Sequence, residues 1–169
     1  MPKVLIVMGS INDLKTVKEA VDVIKEFGVE AVARVLSAHR TPNEAHDLSV
    51  NAIKNGFEVI IGCAGKAAHL AEVLAASTTL PVIGLPILSS TLDGLDSLLS
   101  VVQMPQGIPV ATVAINGAHN AGLLALQILG IKYPEIAKKL SDYKQKMAKK
   151  ILEDDAKLQE MLSAGTVNA

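Results

Sequence analysis

Short, continuously apolar runs alternate along this chain with longer segments whose apolar residues recur every three or four positions. Residues 4–8 (Val-Leu-Ile-Val-Met) are apolar throughout and predict a buried strand. Gly9-Ser10-Ile11-Asn12-Asp13 breaks that run. Leu14, Val17, Val21 and Ile24 then fall at helical spacing, with Gly28 placed just past a helix end. A second strand is expected over 31–36. Thr41-Pro42-Asn43-Glu44 reads as a helix start, with Thr as N-cap, Pro at the first helical position and Glu closing a capping box. Ala45, Leu48, Ala52 and Ile53 would form that helix's buried face, and Asn55-Gly56 its stop.

The alternation continues to the C-terminus. Strands are expected over 57–61, 81–86 and 108–115, and helices over 67–76 and 120–129, with a short helical excursion over 92–102. Pro134 opens a last helix in which Ile136, Leu140, Tyr143, Met147 and Ile151 form an apolar stripe that needs a surface to pack against. Strands apolar on both faces and separated by helices imply a parallel sheet covered on each side, joined by right-handed crossovers. The expected fold class is α/β: a single three-layer αβα doubly wound domain with a five-stranded parallel sheet. The order 2-1-3-4-5 is the simplest, flavodoxin-like, with a C-terminal helix. Residues 1–155 would form the domain and 156–169 a tail or a clasp on a neighbouring subunit.

Composition narrows the function. Of 169 residues, 50% are hydrophobic but only 2% aromatic, with two Phe, two Tyr and no Trp. The apolar content excludes disorder, and so few rings exclude a base-stacking platform. Sixteen Lys+Arg against seventeen Asp+Glu, a net charge of −1, argue against a phosphate-tracking basic surface and so against a nucleic-acid partner. Cys63 is the only cysteine, so no intrachain disulfide forms, and no zinc-type spacing occurs. The N-terminal apolar run is too short for a signal-peptide core, and no stretch has the length of a membrane span. The expected location is the cytoplasm, away from membranes.

In such sheets ligands collect at the carboxyl ends of the strands, near the reversal of strand order, here between the first and third. Gly9-Ser10-Ile11-Asn12-Asp13 opens a helix there, where backbone N–H groups suit a phosphate, although Asn12 or Asp13 as a plain helix cap is the alternative. The loop is neither a Walker A motif nor G-x-G-x-x-G. Ser37-Ala38-His39-Arg40 lies at the same edge, and Arg40 offers a fork for an anion. Gly62-Cys63-Ala64-Gly65-Lys66-Ala67-Ala68-His69 follows the third strand. Its small residues admit a ligand close to the backbone, and His69, about one turn into the next helix, can move a proton near neutral pH. Cys63 reads as an inert buried thiol and His46 as an exposed helical residue. Residues 88–97, 101–107 and 116–120 are further loop candidates, each equally explicable by caps and turns.

Met8-Gly9-Ser10 with Asp13, Ser37-Ala38-His39-Arg40-Thr41-Pro42, Ala64-Gly65 with Ala67-Ala68-His69-Leu70, Asp96-Ser97-Leu98-Leu99-Ser100, Gln103-Met104-Pro105 and Pro109-Val110-Ala111-Thr112 together resemble the PurE family of N5-carboxyaminoimidazole ribonucleotide mutases. Each motif is weak alone; their order from about residue 4 to 130 makes the set specific. The resemblance implies a cytoplasmic homo-octamer with sites near subunit junctions, and a reaction without metal or other cofactor. That reaction moves a carboxylate from the exocyclic nitrogen of an aminoimidazole ribonucleotide to ring carbon 4, through CO2 released and recaptured in a closed pocket. By resemblance, His69 handles the carbon-4 proton, and His39 lies in the binding loop of Ser37 and Arg40. Ser10, Asp13, Ser37 and Arg40 match positions that hold ribose and phosphate, and Asn12 one that usually contacts phosphate. Ala64 and Gly65 match backbone contacts near the carboxylate, with Lys66 beside that pocket, and Ala38 and Leu70 belong to the same substrate-binding set.

The chain departs from the family pattern at Asn12, usually Ser, at Lys66, usually Gly, and at Ala71-Glu72, usually Pro-Gly. Lys66 would hold an anion or project to solvent and pair with Glu72. Two other readings compete: the related carboxylase that fixes free CO2, which usually has Lys where this chain has Arg40, and a non-catalytic nucleotide- or flavin-binding module.

Overall fold

In the computed structural model, which describes residues 1–166, the apolar runs become β1 (Lys3–Met8), β2 (Glu30–Val35), β3 (Phe57–Gly65), β4 (Val82–Ile87) and β5 (Ala111–Thr112). All pair in parallel, in the order β2-β1-β3-β4-β5. This is the doubly wound, flavodoxin-like arrangement, with the strand order reversing between β1 and β3. The helices are α1 (Leu14–Glu26), α2 (Pro42–Val50), α3 (Leu70–Ala75), α4 (Leu95–Val102), α5 (Ala118–Gly130) and α6 (Pro134–Ser163).

The period-2 alternation of a strand explains why the central strands must be apolar throughout. Val4, Ile6 and Met8 of β1 pack with Val59, Ile61 and Cys63 of β3 beneath α1, α5 and the start of α6. Leu5, Val7 and Ile60 point the other way, into a second core under α2, α3 and α4. Helix α5 lies so close to α1 that a Cβ on Gly122 would stand 2.4 Å from a Val23 methyl carbon.

Several elements differ from expectation for physical reasons. β2 is an edge strand, and Ala33, Arg34 and Val35 on it are exposed. The fifth strand, expected over 108–115, pairs only at Ala111–Thr112, because Pro109 has no N–H to donate and Asn116 takes a left-handed backbone (φ 56°). Thr41 does not form the capping box. Its hydroxyl accepts from the Ser37 N–H (2.8 Å) and donates to the Ser37 carbonyl (3.1 Å), closing the loop before α2. Helix α2 ends at Val50, so Ile53 is exposed rather than buried.

Helix α6 continues unbroken through 156–163, the first part of the expected tail; residues 167–169 of that tail lie outside the described residues. Thirty residues make it about 45 Å long. Only its first half meets the domain: Ile136 is buried and Leu140 and Tyr143 pack on the first core, whereas Met147 and Ile151 are exposed. No helix among the described residues is long and apolar enough to cross a membrane.

Candidate active site

Four loops at the carboxyl ends of β1, β2, β3 and β4 line an open-sided cavity of about 590 Å³. The loop after β1 contributes Gly9, Ser10, Asn12 and Asp13. Ser10 accepts from the Asn12 N–H (3.2 Å) and caps a single turn of 3-10 helix, so capping falls to Ser10 and not to Asn12 or Asp13. Asp13 precedes α1 without a side-chain capping bond. Burial pushes its carboxyl above the ordinary range, opposed by a hydrogen bond from the Ser10 backbone. It can therefore face a ligand hydroxyl.

Ser37, Ala38, His39 and Arg40 line the cavity from the loop after β2. The Arg40 guanidinium donates to the Gly9 carbonyl (3.2 Å) and the Ser37 hydroxyl (3.4 Å), tying the β2 loop to the β1 loop. Part of its fork is thus committed to the wall, with the rest available for an anion.

The end of β3 supplies Ala64 and Gly65 and the loop after it Lys66 and Ala67, followed by Leu70 of α3. The approach of α3 depends on glycine: a Cβ on Gly62 would stand 2.7 Å from the Ala71 Cα. Lys66 adopts a left-handed backbone (φ 59°), which costs an L-residue about 1–2 kcal/mol. That turn delays α3, so His69 stands at its N-cap rather than a turn inside it. At this position His69 Nδ1 lies 3.2 Å from His39 Nε2, with the rings edge to face. In complementary tautomers one ring donates to the other. His39 lines the cavity, whereas His69, solvent-exposed and expected to handle the carbon-4 proton, does not line it and reaches it only through its contact with His39.

All the binding residues anticipated from the sequence therefore meet in one cavity, and the two histidines meet each other. The fourth wall is Ile87 at the end of β4 with Leu88, Ser89 and Ser90 after it, of which the polar run over 88–97 signals only the last three. Its shape is held by Asn116 Oδ1 accepting from the Leu88 N–H (2.8 Å) and by the Ser89 hydroxyl donating to Asp96 (2.8 Å). His119 lies elsewhere, its Nε2 3.0 Å from the Tyr143 hydroxyl. His46 is exposed and contacts the Ser77 hydroxyl at 2.9 Å. Burial, with the charge of Asp13 adding to it, raises the Cys63 thiol far above its ordinary value, so it stays protonated and inert. Among the described residues no three His, Cys, Asp or Glu gather as metal ligands.

Lys66 does not pair with Glu72. Both Glu72 carboxylate oxygens are buried without a hydrogen-bond partner among the described residues, and burial raises this carboxyl, its own backbone N–H opposing. A raised carboxyl favours the folded state below its ordinary value of 4.5, and that contribution is lost as pH rises through the folded-state value. Glu72→Gln is therefore expected to stabilise the chain at pH 7 by about 1 kcal/mol, the low end for an orphaned buried group because this one is partly solvated. Urea unfolding at pH 7 and below pH 4.5 checks this; the difference should vanish at the lower pH.

A family model for AIR carboxylase matches residues 3–150. The N5-carboxyaminoimidazole ribonucleotide mutase of Thermotoga maritima is 53% identical over 161 residues, covering 95% of this chain and 94% of that protein. The chloroplastic phosphoribosylaminoimidazole carboxylase of Vigna aconitifolia is 47% identical over 153 residues, 90% of this chain but 28% of that longer protein. The crystal structure of Treponema denticola PurE superposes with a TM-score of 0.85 at 31% identity, covering 94% of this chain and 99% of that one. With a matched span that contains all four cavity loops, the chain belongs to the AIR carboxylase family.

Proposed function

We propose that this chain is an N5-carboxyaminoimidazole ribonucleotide mutase of purine biosynthesis, working in the cytoplasm. The observation that carries the reading is the His39–His69 pair, 3.2 Å apart, with His39 on the wall of a cavity rich in Gly, Ala and Ser that also holds the Arg40 fork and the Asp13 carboxyl. The ribonucleotide's phosphate sits at the N–H groups of the β1 loop and the free face of Arg40. Asp13 accepts from the ribose. The imidazole lies along Ala64 and Gly65, with Leu70 and Ile87 as apolar backing.

The reaction then needs one mobile proton. The bond from the exocyclic nitrogen to the carboxyl carbon breaks, its electron pair stays on nitrogen, and CO2 is released into the cavity. Carbon 4 attacks that CO2, and loss of its proton restores the aromatic ring. Nitrogen gains one proton and carbon 4 loses one, so a single relay closes the cycle. His39 exchanges the proton with substrate, and His69 behind it accepts or returns the shared hydrogen. Retention of CO2 requires bulk water to be excluded from this open-sided cavity, a cover that a neighbouring subunit would supply.

A homo-octamer is the proposed working form. Leu92 in the turn before α4 and Leu95, Leu99 and Val102 along it are exposed apolar residues, and the outer half of α6 exposes Met147, Ile151, Leu152, Leu158 and Met161. Such surface is typical of interfaces between subunits. The mass in solution is expected at a multiple of 17.7 kDa, and Leu95→Glu with Leu99→Glu should lower it; a wild-type monomer at working concentration would contradict the assembly.

The reading is tested by supplying the purified protein with the N-carboxylated ribonucleotide and limiting bicarbonate, and following formation of the carbon-4 carboxylate. Conversion independent of bicarbonate is expected. Strict dependence on added CO2 would favour the carboxylase reading, and no conversion would favour a binding module.

A further inference from the structure

Lys66 lines the cavity, yet the mechanism above gives it no task. Apart from Arg40 and Lys66, no Lys or Arg lines this cavity among the described residues. Arg40 is partly spent on Gly9 and Ser37, whereas none of the ion pairs among the described residues includes Lys66. Its backbone is also held in a left-handed conformation that glycine would adopt without strain. A strained residue in a ligand cavity, carrying a charge that no neighbour uses, points to a task for that side chain.

The sheet order says which end of the ligand it meets. Arg40 belongs to the loop after β2 and reaches the β1 loop, while Lys66 follows β3, on the far side of β1. The two loops spring from strands roughly 10 Å apart, twice the spacing of neighbouring strands. A ligand with one anion at the Arg40 end therefore presents its other end to Lys66, three residues before His69.

We propose that Lys66 pairs with the carboxylate that the reaction moves, and so makes the site select carboxylated over decarboxylated ribonucleotide. This rests on the mutase reading. The contact forms with the carboxylate in the ground state and is lost when CO2 leaves, so it tightens binding and does not speed the chemistry.

The test compares wild type with Lys66→Met, Lys66→Arg and Lys66→Gly. Calorimetry measures binding of 4-carboxy-5-aminoimidazole ribonucleotide and of 5-aminoimidazole ribonucleotide. Lys66→Met is expected to weaken the carboxylated ligand roughly tenfold and the decarboxylated one less than about twofold, as for a lost charge-assisted contact. Lys66→Arg should restore most of the difference, and added salt should narrow it. In turnover, KM should rise with kcat within about threefold. Lys66→Gly should lose the same selectivity while melting at a higher temperature, a combination that general damage to the fold does not produce. Equal loss of both ligands, or unchanged binding of the carboxylated one, overturns the proposal. Wild-type turnover is read separately: its absence strikes at the mutase reading, while the two binding constants still decide Lys66.

Discussion

Replacing His39 or His69 with Asn is expected to lower kcat by about 10²–10⁴-fold, the usual contribution of a positioned proton carrier. Binding of the ribonucleotide should change far less, because the groups proposed to hold the phosphate, the β1-loop N–H groups and Arg40, are kept in both variants. Asn keeps a polar group of similar reach but does not take up a proton near neutral pH, so the variant separates proton transfer from shape. The 3.2 Å contact between the rings adds a sharper expectation. If the pair acts as one relay, the double variant falls no further than the worse single one, since either change already breaks the chain. Steady-state kinetics on all three variants check this. Additive losses would mean two independent roles.

Arg40→Ala is expected to weaken ribonucleotide binding by about 10²-fold, through two effects that the geometry joins. The anion loses a charge-assisted fork partner. The Gly9 carbonyl and Ser37 hydroxyl also lose the group that ties the β2 loop to the β1 loop. Arg40→Lys keeps the charge but not the fork, so it should recover only part of the binding, with the Gly9–Ser37 tie still broken. Calorimetric titration with ribose 5-phosphate, which carries the anion but no imidazole, should show most of the same loss. If only the full ribonucleotide were affected, Arg40 would be holding the heterocycle instead.

The fold and the position of the site were legible because both follow from patterns that neighbouring residues share. The continuous run at residues 4–8 had to be central, since each face meets a different core, and the alternation with helices fixed a parallel sheet. Once β1 and β3 flank the reversal of order, their loops and that of β2 must converge, which brought Ser10, Arg40 and Gly65 together. What escaped were features set by backbone conformation or by distant partners. The capping signature at Thr41 predicts a local pair with Glu44, but the hydroxyl bonds Ser37 across the loop instead. The turn at Lys66 displaced the start of α3 because its left-handed φ is not a property of lysine and no local residue announces it. The contact of His39 with His69 joins residues 30 positions apart, and no periodicity encodes it. Ser89 and Ser90 resembled ordinary turn residues until Asn116 and Asp96 were seen to shape their loop into a wall.

The central claim is that carboxylate leaves nitrogen and reaches carbon 4 without escaping the cavity of about 590 Å³. It is tested most directly with substrate carrying a ¹³C-labelled carboxylate, in unlabelled bicarbonate and sampled early in turnover. Mass spectrometry of the 4-carboxy product should find the label retained; product carrying only unlabelled carboxylate from solution would contradict the account.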